Sequence, residues 1–167
     1  RGPRWHRASR ALQSAGHQTI YLEADQTLPD TIREVRPDIC FNIAEGLHGD
    51  AREAHVPALL ELFEIPYTGS RVLTHAISLD KAVTKQVWRD AGLPTAPFQL
   101  FRHPDAALDP ALSFPLFVKP VREGSGMGIN DRSIVHDGAA LREQVAWIIR
   151  TYRQPALVEA YLPGREF

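Results

Sequence analysis

The sequence is poor in several features that would narrow its function at once. It has a single cysteine, Cys40, among 167 residues, which excludes an intrachain disulfide and a zinc site built from several thiolates. With 19 basic and 20 acidic residues its formal net charge is −1, so we expect no nucleic-acid partner. No apolar run reaches the ~18–20 residues that cross a bilayer, and no segment resembles a secretory signal. We therefore expect a cytoplasmic protein with no membrane partner.

The two ends of the sequence indicate that it is a piece of a longer protein. Arg1 lies inside a predicted helix, and the one methionine is Met127 rather than the first residue. Phe167 directly follows a predicted strand and turn. We therefore expect a fragment that is inactive by itself.

Helix and strand patterns alternate in the first part of the chain. Apolar residues recur at helical spacing over 5–15, 28–35 and 56–63. Strands are predicted at 17–23 and, as a buried strand, at 38–43. Such βα alternation is typical of a parallel sheet. The pattern predicts an α/β domain over residues 1–78, incomplete at its start.

The pattern changes between residues 78 and 95. A predicted helix over 79–91 ends at Gly92, with Pro94 just beyond it. Strands are predicted at 98–101, 114–118, 129–135 and 156–160, and Asp137 is placed to cap a long helix before the last of them. The sequence therefore predicts a mixed α+β domain over residues 79–167, incomplete at its end.

A glycine-rich segment follows the second of these strands. Lys119 stands at the end of the strand, and Gly124–Gly128 supply backbone N–H groups that can surround phosphate oxygens. The segment lacks the G-K-[ST] ending of a P-loop, and a strand rather than a helix follows the glycines, unlike a dinucleotide-binding fingerprint. Its lysine precedes the glycines, unlike that of a kinase loop. A simple glycine hairpin turn is the alternative.

Two other segments carry candidate chemistry. Lys81 lies at the start of a predicted helix, where the helix dipole disfavours a positive charge; a solvated surface lysine is the alternative. Residues 157–167 contain Glu159 on a strand, an aromatic residue, a Pro-Gly turn and Glu166. A structural turn at the end of the strand is the alternative there.

Six segments in one order resemble the D-alanine–D-alanine ligase family of the ATP-grasp superfamily. They are P-D-I-C-F-N-I-A-E-G (37–46), L-L-E-L-F-E-I-P-Y-T-G-S (59–70), L-D-K-A-V-T-K (79–85), A-G-L-P-T-A-P-F (91–98), F-P-L-F-V-K-P-V-R-E-G-S-G-M-G (114–128) and L-V-E-A-Y-L-P-G-R-E-F (157–167). The resemblance implies an N-terminal pre-ATP-grasp and substrate domain over 1–78. It also implies an ATP-grasp nucleotide-binding subdomain over 79–167, with its C-terminal part missing.

The resemblance implies a role for each matching residue. Lys119 and Lys81 contact the ATP phosphates, and the glycine segment closes over them with Ser125, the catalytic candidate, near the transferred phosphate. Glu159 and the backbone of the next residues bind adenine, and Glu166 binds the ribose hydroxyls. The implied ATP-binding residues are Lys81, Lys119, Glu123, Gly124, Ser125, Gly126, Gly128, Glu159, Tyr161, Leu162 and Glu166.

Other positions depart from the family pattern. Glu45 stands where the family usually has a histidine; with His48 in the same loop it is the candidate for substrate binding. Gly126 replaces a serine of the usual glycine segment, and Ala160 replaces a frequent lysine. These departures indicate a divergent ligase whose substrate differs from D-alanine.

The implied activity is that of an ATP-dependent carboxylate–amine ligase that forms an acylphosphate, which in this family serves peptidoglycan biosynthesis. Its cofactors would be ATP and Mg²⁺, with the Mg²⁺ ligands beyond Phe167, and its other partners amino-acid substrates. A homodimer through residues 1–78 is also implied. The alternatives are an ATP-grasp ligase with a different acid and amine, or a catalytically silent nucleotide-binding or dimerising module.

Overall fold

A computed structural model of the protein describes residues 4–165, which fall into two compact units. The first unit ends at His75 and the second begins at Ala76. The α-helices and β-strands of the two units, in chain order, are α1 (Arg4–Ser14), α2 (Leu28–Val35), α3 (His55–Leu62), α4 (Val72–Ser78), α5 (Lys81–Asp90), β1 (Phe98–Phe101), β2 (Leu116–Pro120), β3 (Ile134–Val135), α6 (Gly138–Tyr152) and β4 (Ala156–Ala160).

The first unit is built around short helices. The helices predicted over 5–15, 28–35 and 56–63 are confirmed as α1, α2 and α3. Helix α2 starts with a proline in its first turn and ends where Arg36 adopts a left-handed conformation. Leu28 and Ile32 of α2 pack with Leu60 of α3 as the buried core of this unit. Apolar residues three or four apart on each helix therefore provide the contact.

The predicted parallel sheet of residues 1–78 is not confirmed. Within the described residues of this unit, pairing is limited to one parallel bridge between Cys40 and Tyr67, and 17–23 contains no strand. The prediction that the strand over 38–43 is buried was wrong, because Ile39, Phe41 and Ile43 are each more than half exposed. Their alternation produces a face that the described part of the unit does not cover.

The second unit contains a four-stranded antiparallel sheet in the order β1-β4-β2-β3. The strands predicted at 98–101 and 156–160 are confirmed. The strand predicted at 114–118 starts at Leu116, after Pro115, which has no N–H to donate to a ladder. The strand predicted at 129–135 shrinks to β3, because Ser133 and Asn130 form a turn in which Ser133 N donates to Asn130 O at 2.9 Å.

Helix α6 covers one face of this sheet. Asp137 caps α6 as predicted, accepting hydrogen bonds from the backbone N–H groups of Ala139 at 2.8 Å and Ala140 at 2.9 Å. The core between helix and sheet consists of Phe101, Leu112, Leu116, Val118, Val135, Leu141, Val145, Ile148, Ala156 and Val158. This buried face holds β2 and β4 in a fixed register and so fixes the side chains on their other face.

Helix α5 packs on the opposite face of the sheet. Ala82 of α5 joins Val121 and Leu157 in a small buried cluster, with Phe98 and Leu100 against it. Asp80 caps α5, because its Oδ1 accepts hydrogen bonds from the backbone N–H groups of Ala82 and Val83, both at 3.0 Å. Across residues 4–165 no helix is long and apolar enough to cross a membrane.

Candidate functional site

The candidate site lies on the sheet face that carries α5. Glu159 of β4 is directly opposite Phe117 of β2 and Phe98 of β1. Lys119 stands two residues after Phe117, so the period of the strand places both on this same face. Two adjacent strands therefore bring the predicted lysine and the predicted glutamate together.

Glu159 is held between two lysines. Lys119 Nζ is ion-paired with Glu159 Oε1, and Lys85 Nζ lies 2.8 Å from Glu159 Oε2. The Glu159 side chain is 12% exposed and that of Lys85 is 9% exposed. Lys85 also donates a hydrogen bond to Thr95 Oγ1 at 2.7 Å. The carboxylate thus has a separate ammonium partner for each oxygen, in a setting with little water.

The surroundings of Glu159 keep it ionised. Burial by itself raises the pKa of Glu159, but the hydrogen bonds and charges of Lys119 and Lys85 outweigh burial and hold the pKa below its usual range. At neutral pH the carboxylate is therefore an acceptor of hydrogen bonds with no proton to donate.

The start of α5 is attached to the chain that enters the glycine segment. Lys81 N donates to Val121 O at 3.0 Å, and Lys81 Nζ donates to the carbonyl oxygen of Glu123. Arg122 Nε reaches the capping residue Asp80, at 2.9 Å from its Oδ2. The ammonium of Lys81 is thereby placed at the beginning of the glycine segment, and its phosphate-binding role stays a prediction.

Gln154, just after α6, fixes the same stretch of chain from the other side. Its Oε1 accepts a hydrogen bond from Arg122 N at 2.6 Å, and its Nε2 donates to Glu123 Oε1 at 2.7 Å. The residues that enter the glycine segment are therefore held by α5 and by the end of α6 together.

The glycine segment is a succession of tight turns. Met127 N donates to Gly124 O at 2.9 Å, and Ile129 N donates to Gly126 O at 3.1 Å. Ser125 has a φ of 52°, a left-handed conformation that is uncommon for a residue with a side chain and is found at ligand-binding loops. A simple hairpin turn would directly join β2 to β3, but here the segment is a longer structured loop between them.

The adenine-binding hinge is predicted at the end of β4, and the contacts there are as follows. Tyr161 N donates to Pro115 O at 3.2 Å, and its ring is stacked on Phe117 with centroids 6.5 Å apart. This hydrogen bond occupies the Tyr161 N–H, so an adenine base bound there would have to use other backbone groups of the segment. Leu162 is 70% exposed. The predicted ribose-binding residue, Glu166, lies outside the described residues.

The remaining predicted residues lie in the first unit. Glu45 and His48 are both exposed and belong to one irregular segment between Ile43 and the short 3₁₀ turn Arg52–Ala54. Gly46 has a φ of 73°, and a Cβ there would stand 2.2 Å from Arg52 O. The segment is therefore folded tightly on itself, which fixes the path of the chain beside Glu45.

Lys85 is a site residue that the sequence does not predict. A lysine in a helix is ordinarily exposed to solvent, and within L-D-K-A-V-T-K (79–85) a phosphate role is predicted for Lys81 alone. The available signal was its spacing, because Lys85 follows the buried Ala82 by three residues and so shares its helix face.

The described residues do not fit an Mg²⁺ site. Residues 4–165 contain no group of three or more histidine, cysteine, aspartate or glutamate side chains that would hold a metal ion. Glu159, the carboxylate on the sheet face, already has two ammonium partners. Any Mg²⁺ used with this site would need ligands from outside the described part of the chain.

Comparison with known proteins supports the resemblance that the six motifs predicted. The family described as "D-ala D-ala ligase C-terminus" matches residues 87–167. The chain is 40% identical over 164 residues to the uncharacterized protein y4sG of Sinorhizobium fredii, covering 93% of this chain and 48% of that one. It is 33% identical over 159 residues to D-alanine–D-alanine ligase of Aquifex aeolicus, covering 95% of this chain and 53% of the ligase. The chain spans about half the length of the curated relatives it matches.

Solved structures share the fold. D-alanine–D-alanine ligase from Bacillus anthracis superposes with a TM-score of 0.76 at 23% identity, over 95% of this chain and 51% of the ligase. The same ligase complexed with ATP gives a TM-score of 0.71 at 24% identity, over 90% of this chain and 49% of the ligase.

The chain is therefore similar to the D-alanine–D-alanine ligase family of the ATP-grasp superfamily, as the six motifs predicted. The C-terminal family model matches residues 87–167, and D-alanine–D-alanine ligases align with nearly the whole chain.

Proposed function

We propose that the chain is the nucleotide-binding half of a longer ATP-dependent carboxylate–amine ligase. The observation that carries this proposal is Glu159, held ionised at the end of β4 on the same face as Lys119 and close in sequence to the hinge. The family match and the D-alanine–D-alanine ligase relatives support it, as does the ATP complex of a ligase with the same fold.

Each part of ATP has a matching group in this proposal. The 6-amino group of adenine donates to the Glu159 carboxylate, and the apolar surface of Phe117 and Tyr161 borders the base. Lys119, Lys81 and the N–H groups of the glycine segment offset the charge of the phosphates. Glu123, at the entry to the segment, orients the loop through its carbonyl and carboxylate contacts.

The proposed reaction has two bond exchanges. A carboxylate oxygen of the acid substrate attacks the γ-phosphorus of ATP, the bond to the ADP oxygen breaks, and an acylphosphate forms. The amine then attacks the acyl carbon, phosphate leaves, and the nitrogen loses a proton to give an amide. Ser125 lies in the loop that would border the transferred group, where its hydroxyl can donate to phosphate oxygens.

Glu45 and His48 are the proposed substrate-binding residues of the first unit. A carboxylate at Glu45 repels the acid group of an amino acid and attracts its ammonium group. We therefore expect the substrate to bind in a different orientation, or to be a different molecule, from that of a ligase with a histidine there. The family points to an amino-acid substrate, a cytoplasmic location and a role in cell-wall synthesis, and the first unit is the candidate for dimer contacts.

A phosphate-release assay tests the proposed function and the substrate together. With full-length protein, ATP and Mg²⁺, we expect phosphate release only when both an acid and an amine substrate are present, with D-alanine a poor substrate. Glu45→His is the matched variant, and we expect it to raise the rate with D-alanine relative to wild type. Phosphate release that ignores added amino acids would refute the ligase, and D-alanine as the best substrate of the wild type would refute the role of Glu45.

A further inference from the structure

Lys85 is a buried charged residue, 7% exposed as a whole residue, to which the proposed reaction gives no role. Its ammonium group contacts Glu159 Oε2 at 2.8 Å and Thr95 Oγ1 at 2.7 Å. It also lies 5.3 Å from the centre of the Phe98 ring. A buried lysine with partners on β4, on β1 and before β1 loses much rotamer freedom, so a solvated surface role does not account for it.

The two lysines that hold Glu159 come from different elements. Lys119 belongs to β2 and takes Oε1, whereas Lys85 belongs to α5 and takes Oε2. Lys119 is the more exposed of the two, at 22% against 9%. When ATP binds as proposed, Lys119 is attracted to the phosphates, and Lys85 is then the ammonium that stays with the carboxylate.

We propose that Lys85 is a positioning residue for nucleotide-base selection, which it exerts by holding Glu159 ionised and oriented toward an amino group on the base. This inference rests on the proposed ATP-binding function. An ionised carboxylate accepts from the 6-amino group of adenine but repels the 6-oxo group of guanine. Lys85 therefore contributes to the preference for ATP over GTP without contacting either nucleotide.

Calorimetry of ATP and GTP binding to the full-length protein tests this role. In Lys85→Met, a side chain of similar length has no charge, and we expect the ratio of ATP to GTP affinity to fall about tenfold, the effect of one charge-assisted hydrogen bond. Lys85→Arg keeps a charged donor and is expected to restore most of the ratio. Thr95→Val removes the hydrogen bond to Lys85 alone and is expected to give a smaller fall.

Arg89→Met is the matched control, because Arg89 is an exposed cation on the same helix that also lies over the Phe98 ring, at 5.9 Å. We expect its ATP to GTP ratio to equal that of the wild type. If Lys85→Met folds and its ratio of ATP to GTP affinity equals that of the wild type, the role of Lys85 is overturned. The role is also overturned if Lys85→Arg lowers this ratio as much as Lys85→Met does.

If Lys85→Met does not fold, Thr95→Val decides: a lowered ratio supports the inference and an unchanged ratio overturns it. The proposed function fails in a different way, namely if the wild type binds neither nucleotide, and the role of Lys85 then falls with it. If the wild type prefers ATP and the Lys85 and Thr95 variants prefer it to the same degree, the role of Lys85 is overturned and the proposed ATP-binding function stands.

Discussion

Replacing Lys119 with alanine is expected to weaken ATP binding to the full-length protein by about 1.5–3 kcal/mol, measured by calorimetry. The ammonium group lies at the end of a buried strand, on the face that also carries Glu159. Its loss removes a charge-assisted hydrogen bond to the phosphates. It also leaves the Glu159 carboxylate with the ammonium group of Lys85, 2.8 Å from Oε2.

Two controls separate these effects. Adenosine has no phosphates, so its affinity should change much less than that of ATP in Lys119→Ala. Arg132→Ala removes an exposed cation of the same unit whose partner is Glu143, at 3.0 Å, and should leave ATP affinity unchanged. Equal ATP affinity in the wild type and Lys119→Ala would refute the phosphate role of Lys119.

Gly128→Ala is expected to destabilise the protein by about 2–4 kcal/mol. Gly128 is buried at the end of the glycine segment, with a φ of 77° that disfavours any side chain. A Cβ there would stand 2.3 Å from Cγ of Pro120 and 3.2 Å from Cε2 of Tyr152. Proline is a rigid ring in β2, so relief requires the loop or the strand to shift.

Gly126→Ala is the matched control for this prediction. Gly126 has a similar φ of 74°, but a Cβ there would have nothing within 4 Å. It should therefore show the conformational cost alone, about 1–2 kcal/mol. Urea unfolding of both variants measures the difference, and equal destabilisation would show that the contact with Pro120 has no effect on stability.

Local features of the second unit could be predicted because local residues determine them. The period of Leu141, Val145 and Ile148 marks the buried face of α6, and Asp137 marks its start. The placement of β4 between β1 and β2 could not be predicted in this way, since strand order depends on pairing between residues far apart in sequence. The same limit applies to Lys85, whose burial depends on a glutamate on the last strand.

The first unit shows the opposite case. The segment 38–43 has the alternation of a strand, but in the described part of the unit Cys40 is its one residue in a β-bridge, with Tyr67. A strand is stabilised by its neighbours, and the sequence pattern does not report whether they are present. Helix α4 was missed because its seven residues are fewer than the about 11–18 over which helical periodicity is recognised, and none of them is buried.

A crystal structure of the full-length protein with a non-hydrolysable ATP analogue decides whether the sheet face that carries Glu159 and Lys119 binds ATP. We expect phosphate oxygens within hydrogen-bonding distance of Lys81 Nζ, Lys119 Nζ and the backbone N–H groups of the glycine segment. We also expect the 6-amino group of adenine beside the Glu159 carboxylate, with Lys85 still in contact with Oε2. An analogue bound elsewhere, or an adenine that does not approach Glu159, would show that this sheet face is not the ATP-binding site.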